Sequence, residues 1–160
     1  MKIQDLDVSF RQEHGTVAHA LRRVDLILSS GETHALVGES GSGKTVTATC
    51  IMGLLPTPQA TVNSGQVFFK GKNLLSLSEN EKRLLRGKEI AMIFQEPGKY
   101  LNPAYKIGEQ IVETLMLHLK LTRRSAIKRA LELLSLVGFN KNRRILNSYP
   151  HELSGGMKQR

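Results

Sequence analysis

Residues 38–45 read Gly38-Glu39-Ser40-Gly41-Ser42-Gly43-Lys44-Thr45, and this stretch decides the fold. It fits the pattern G-x-x-x-x-G-K-[ST], in which each residue type has a physical task. Glycines let the backbone wrap so that successive N–H groups point inward, a nest for phosphate oxygens. A helix opening at the end of the loop adds unpaired amides and the positive end of its dipole. Lys44 reaches the β and γ phosphates, and the Thr45 hydroxyl can ligate Mg²⁺. Gly38, Ser40, Gly41, Ser42, Gly43, Lys44 and Thr45 are the candidate phosphate-binding residues, with Thr45 also a candidate metal ligand.

The flanks supply the context that the loop requires. Residues 33–37 are a short, mostly apolar run that reads as a strand, and residues 46–55 read as a helix ended by Pro56 and Pro58. Upstream, Ile3, Leu6, Val8 and Phe10 alternate with polar residues, with one slip, and predict a strand over 2–10. A polar turn at 11–16 leads to a second strand over 21–28. Downstream, glycines bracket a strand at 65–71, and Ser78-Glu79-Asn80-Glu81 is a capping box opening a helix that stops near Gly87. Residues 89–94 read as an apolar strand. From there the period changes to about 3.6. Helices are predicted over 107–121 and 123–137, the second with Thr122 as N-cap, Gly138 as stop, and Ile127, Ala130, Leu131, Leu134 and Val137 on one face. Strands with a glycine loop followed by helices make an α/β nucleotide-binding layout.

Composition narrows the class. The chain has 160 residues, 40% of them hydrophobic, which is enough for a core and too apolar for a disordered chain. Its one cysteine, Cys50, excludes an internal disulfide framework and a thiolate zinc site and suggests a reducing compartment. No apolar run approaches the roughly 18 residues of a spanning helix, and residues 1–5 carry no signal-peptide core. The 23 Lys and Arg against 14 Asp and Glu give a net charge of +9. Residues 1–95 hold 11 basic and 9 acidic side chains, and residues 96–160 hold 12 and 5, so the excess belongs to the second part. No aromatic is interleaved with those charges, which favours a solvated helical face over a nucleic-acid surface. His14, His19, His34, His118 and His151 show no ligand spacing and read as structural, although His151 lies beside the Ser154 turn described next.

Two further places carry chemistry. Gln95 ends the apolar run at 89–94, where a carboxamide could ligate magnesium or orient a water; taken alone it reads better as a surface glutamine beside a proline turn. In Leu153-Ser154-Gly155-Gly156-Met157, Ser154 and two glycines can present a hydroxyl and bare amides at a helix start, or form an ordinary N-cap.

Taken in order, these three motifs resemble the ATP-binding subunits of ABC transporters over the whole chain. The resemblance makes Gly38–Thr45 the Walker A loop, Gln95 the Q-loop glutamine and a second magnesium ligand, and Ser154, Gly155 and Gly156 the nucleotide-contacting part of the signature motif. Phe94-Gln-Glu-Pro-Gly-Lys-Tyr-Leu-Asn-Pro103 and Ser148-Tyr-Pro-His-Glu-Leu-Ser-Gly-Gly-Met-Lys-Gln-Arg160 are similar to the peptide/nickel import subfamily. Gly98-Lys99-Tyr100 departs from that subfamily's small polar run, and Lys158 stands where Arg is common. An aromatic near the first strand stacks on adenine in this family; Phe10 is the best match, and it reads as well as a core residue of its strand.

The resemblance implies a P-loop NTPase of the ABC type that binds ATP and Mg²⁺. It divides the chain into an antiparallel β region (1–30 and 62–74), a nucleotide-binding core (31–61 and 75–95) and a helical subdomain (96–160). The family's Walker B strand, with its carboxylates, and its switch histidine have no counterpart here, so the sequence is expected to be the N-terminal part of a longer protein. Taken alone it is expected not to hydrolyse ATP, since neither Glu39 nor Glu96 has the placement of a general base. Implied partners are transmembrane permease subunits, a second ABC ATPase subunit and, indirectly, a solute-binding protein, at the cytoplasmic face of the membrane. The alternatives are a soluble ABC ATPase acting on nucleic acid or ribosomes, and a non-catalytic nucleotide-binding fragment.

Overall fold

The computed structural model describes residues 1–12 and 15–160; the turn at 11–16 and His14 therefore lie in part outside the described residues. The chain forms two compact units, Met1–Met92 and Ile93–Arg160.

The first unit is built on an antiparallel sheet of β1 (Lys2–Arg11), β2 (Val17–Ile27), β3 (Ala60–Phe69) and β4 (Lys72–Asn73), in the order β2-β1-β3-β4. The slip in the alternation of β1 has a structural cause. Asp5 adopts φ 47°, and Arg23 on β2 and Gly65 on β3 adopt φ 50° and 99°. The ladders shift register at this level, between Ile3 and Leu6 against β2 and between Gln4 and Asp7 against β3. One bulge inserts one residue and returns the next side chain to the same face. Ile3, Leu6 and Val8 thus all reach the core, each at most 1% exposed, although the first pair lie three positions apart. Leu21, Cys50, Val67 and Leu74 complete that core. Burial pushes the Cys50 thiol up to about 11, so it packs as a small apolar group.

Two short helices accompany the sheet, α1 (Lys44–Ile51) between β2 and β3 and α2 (Glu79–Leu85) after β4. Three threonines in its first two turns make α1 a poor helix by propensity. Thr47 and Thr49 donate their hydroxyls back to the carbonyls of Gly43 (3.0 Å) and Thr45 (2.9 Å). At the other end the Arg86 guanidinium donates to the carbonyls of Met52 and Gly53, both at 2.8 Å, which satisfies the end of α1 before Pro56. In α2 the capping box forms as read, with Ser78 N–H donating to Glu81 Oε2 at 2.9 Å and Glu81 N–H to Ser78 Oγ.

Two sequence-based strands are corrected. Residues 33–37 and 89–94 form no ladder; an isolated parallel bridge joins Arg86 and Ile90. Val37 is 88% exposed and Ile93 93%. An extended apolar run becomes a strand only when a neighbouring backbone accepts its hydrogen bonds, and among the described residues none does. β3 also starts at Ala60 rather than 65, because residues 60–64 pair along β1: Phe10 opposes Ala60 and Val8 opposes Val62. The helix read over 46–55 is Lys44–Ile51.

The second unit is helical: α3 (Ile107–Leu119), α4 (Arg123–Leu136), α5 (Asn142–Asn147) and α6 (Gly155–Gln159). Thr122 caps α4 by accepting from Ser125 N–H, and Gly138 follows it at φ 82°. The buried face of α4 is Ala126, Ala130 and Leu134, whereas Ile127 and Val137 are 39% and 41% exposed. This corrects the predicted face. Small residues win the helix contact because they allow close approach to Val112 and Leu115 of α3. A second cluster gathers Ile107, Leu134, Phe139, Ile145 and Leu153. No helix among the described residues is long and apolar enough to cross a membrane.

Gly65→Ala tests the bulge. Its Cβ would lie 2.5 Å from Leu6 Cα and 2.6 Å from Asp5 O, at a φ of 99°. The variant should lose about 2–4 kcal/mol in urea denaturation followed by circular dichroism; an unchanged midpoint contradicts the bulge register.

Candidate functional site

The loop 38–45 is anchored from β2. Gly43 lies at φ 88°, and a Cβ there would come 2.6 Å from Leu21 Cδ2 and 2.7 Å from Ala20 O. Only glycine can make this left-handed turn hard against a strand. Gly43 is the N-cap of α1, no side chain caps that helix, and its first turn carries no acidic residue. The helix therefore presents free amides and its positive end to the loop. Gly41, at φ 84°, faces open space, and a Cβ on Gly38 would sit 2.6 Å from Ser42 Oγ.

Within the loop the Lys44 ammonium donates to Gly38 O (2.8 Å), Glu39 O (2.6 Å) and Ser42 Oγ (3.2 Å). Three oxygens thus satisfy its three donors and fold the loop around a positive charge. Thr45, exposed at the first turn of α1, offers a hydroxyl. Phe10, next to last in β1, is half-buried and packed against the first core, opposite Ala18. Val8, two residues earlier, opposes the Leu21 that touches Gly43. Phe10 is thus about 7 Å along the strand from the level of the loop anchor.

Gln95 and the Ser154 turn belong to the second unit. Gln95 sits exposed in a bend. Ser154 is the N-cap of α6 and accepts from Met157 N–H at 3.3 Å, which leaves its hydroxyl proton free to donate. A Cβ on Gly155 or Gly156 would meet nothing within 4 Å. Packing among the described residues therefore gives no reason for either glycine. Two supporting contacts were not legible in the sequence: Ala20 and Leu21 under Gly43, and Gln110, whose carboxamide holds the chain after Gln95 at Asn102 and Tyr105. Both join residues whose proximity depends on tertiary packing.

Among the described residues no cluster of His, Cys, Asp or Glu could hold a metal. Thr45 lies in the first unit and Gln95 in the second. Each carries a neutral side-chain oxygen, a donor type that suits Mg²⁺, which typically takes few protein ligands, keeps waters and completes its shell with phosphate oxygens.

Residues 21–160 match the ABC transporter family. Across the whole chain the sequence is 49% identical to the oligopeptide transport ATP-binding protein OppD and 48% identical to the dipeptide transport ATP-binding protein DppD, both of Bacillus subtilis (strain 168). The chain covers 44% and 48% of these proteins, so it spans about half the length of the curated relatives it matches. Among solved structures it resembles MJ0796, a bacterial ABC transporter cassette, in a dimeric post-hydrolysis state bound to ADP and Pi. That likeness has a TM-score of 0.84 and 26% identity, over 99% of this chain and 65% of the other.

The glycines can be told apart by substitution. Gly43→Ala should cost stability and nucleotide affinity together, by about 2 kcal/mol or more, whereas Gly41→Ala meets only the backbone strain of about 1 kcal/mol. Gly155→Ala and Gly156→Ala should leave stability unchanged or raise it by up to about 1 kcal/mol, as alanine does within a helix. Thermal denaturation of the four variants checks the order; destabilisation by the last pair contradicts their open placement.

Proposed function

The chain belongs to the ABC transporter family, and on that footing we propose that it is the nucleotide-binding part of an ATP-driven peptide importer. The observation that carries the reading is the Lys44 ammonium, ringed by loop oxygens at the uncapped start of α1. An anion bearing several phosphates offers that ammonium charge-assisted bonds stronger than those to carbonyls and fills the free amides of the helix start. The peptide assignment draws support from the identity to peptide-transport relatives.

In this reading Gly38, Ser40, Gly41, Ser42 and Gly43 wrap the phosphates, and Lys44 bridges the β and γ groups. Thr45 and Gln95 would hold Mg²⁺, which neutralises charge on the phosphates when bound. Phe10 stacks on adenine. Ser154, Gly155 and Gly156 meet the γ-phosphate of a nucleotide held by a second subunit, which accounts for two glycines that no contact among the described residues requires. Residues 1–30 and 62–74 then serve as the antiparallel region, 31–61 and 75–95 as the nucleotide core, and 96–160 as the helical subdomain that engages a transmembrane permease from the cytoplasmic face. A solute-binding protein delivers the peptide to that permease. Neither Glu39 nor Glu96 is assigned as base, since Glu39 lies in the loop and Glu96 pairs with Lys99 at 2.8 Å.

Lys44→Ala should weaken ATP binding by about 1.5–3 kcal/mol in titration calorimetry, and equal affinity overturns the reading. Ser154→Arg should leave ATP binding by a single subunit intact and abolish ATP-dependent pairing in sedimentation velocity. Loss of binding by the lone subunit would mean that Ser154 acts within its own chain.

A further inference from the structure

Gln95 is a candidate ligand that neither a helix nor a strand holds, yet the residues around it are tied at several points. The rings of Phe94 and Tyr100 stack with centroids 3.9 Å apart and planes 15° apart. They close a short loop whose ends would otherwise be independent. Inside it Pro97–Lys99 form one 3₁₀ turn, Lys99 N–H donates to Glu96 O at 3.0 Å, and the Lys99 ammonium pairs with the Glu96 carboxylate. The stem of Lys158, from α6, lies over Gly98, whose Cβ would be 3.3 Å from Lys158 Cδ.

The far side of the stack is anchored too. Leu101 packs against the cluster of Ile107, Leu134 and Phe139. Asn102 N–H donates to Gln110 Oε1 at 3.0 Å, while Gln110 Nε2 donates to the carbonyls of Asn102 and Tyr105. Tyr100 is thus the last link between a fixed segment, 101–110, and a loop of which Gln95 is the second residue. The ring itself remains 59% exposed, so burying it contributes little to the core; its contact with Phe94 is what it adds.

We propose that Tyr100 is a positioning residue for Gln95: its ring, stacked on Phe94, closes the loop that keeps the Gln95 carboxamide in one place for magnesium-bound nucleotide. This rests on the reading of Gln95 as a magnesium ligand. A ligand on an already closed loop loses less conformational freedom on binding, so closure appears as affinity.

Tyr100→Phe, Tyr100→Ser and Gln95→Ala in the full chain, measured two ways, test it. The first readout is amide hydrogen exchange over residues 96–99. Tyr100→Ser should speed it by roughly 2- to 10-fold, the worth of one aromatic stack, with α3 and α4 unchanged and Tyr100→Phe like wild type. Unchanged exchange in Tyr100→Ser overturns the clamp. The second is ATP affinity in magnesium divided by affinity in EDTA. Gln95→Ala and Tyr100→Ser should both lower this ratio, and Tyr100→Phe should keep it. A ratio lowered by Gln95→Ala but not by Tyr100→Ser overturns the positioning role while sparing the reading of Gln95. A ratio unmoved by Gln95→Ala overturns that reading and the positioning role with it, and the exchange data then report on the clamp alone.

Discussion

The left-handed turn at Gly43 is the constraint on which the rest of the site depends. It lets the backbone pass Ala20 O and Leu21 Cδ2 at a separation no Cβ would permit. Leu21 is itself core, 3% exposed and paired with Val8 in the central strand. The sheet therefore fixes Gly43, Gly43 fixes where α1 begins, and the next residue along is Lys44. The ammonium then turns back to the carbonyls of Gly38 and Glu39. A functional charge on a loop is held by rigid neighbours at each step.

The same logic explains why α1 tolerates a poor helical sequence. Thr47 and Thr49 satisfy themselves on carbonyls one turn back, and Arg86 reaches over to close the other end. With the helix held from both ends and packed through Cys50, its N-terminus can stay uncapped, which is what an anion-binding terminus requires. In the second unit the pattern is reversed. Ser154 caps its helix, while Gly155 and Gly156 stay bare.

What could be read from the sequence followed from local chemistry. The glycines and lysine of 38–45, the Ser78/Glu81 box and the Thr122 cap each involve partners within a few residues, and all appear in the structure. Ile3, Leu6 and Val8 were legible as a buried set, but the slip between them was not legible as a bulge, since it depends on Arg23 and Gly65 in other strands. The runs at 33–37 and 89–94 have strand composition and no ladder, because pairing needs a second backbone that local pattern cannot supply. On α4 hydropathy favoured Ile127 over Ala126, whereas close helix packing favours the smaller side chain. Of the candidate site, the loop was legible as one piece. The ties around Gln95 were not: the Phe94–Tyr100 stack depends on how the loop bends back on itself, and the Gln110 contacts join the chain beyond it to α3.

The central claim is that this site binds by gripping phosphates around Lys44 rather than by recognising a base alone. Calorimetric affinities of the chain for AMP, ADP and ATP in magnesium test it most directly. The account predicts a steep rise from AMP through ADP to ATP, because the β and γ phosphates are those that reach the ammonium and the free amides of α1. Equal affinity for AMP and ATP would contradict it.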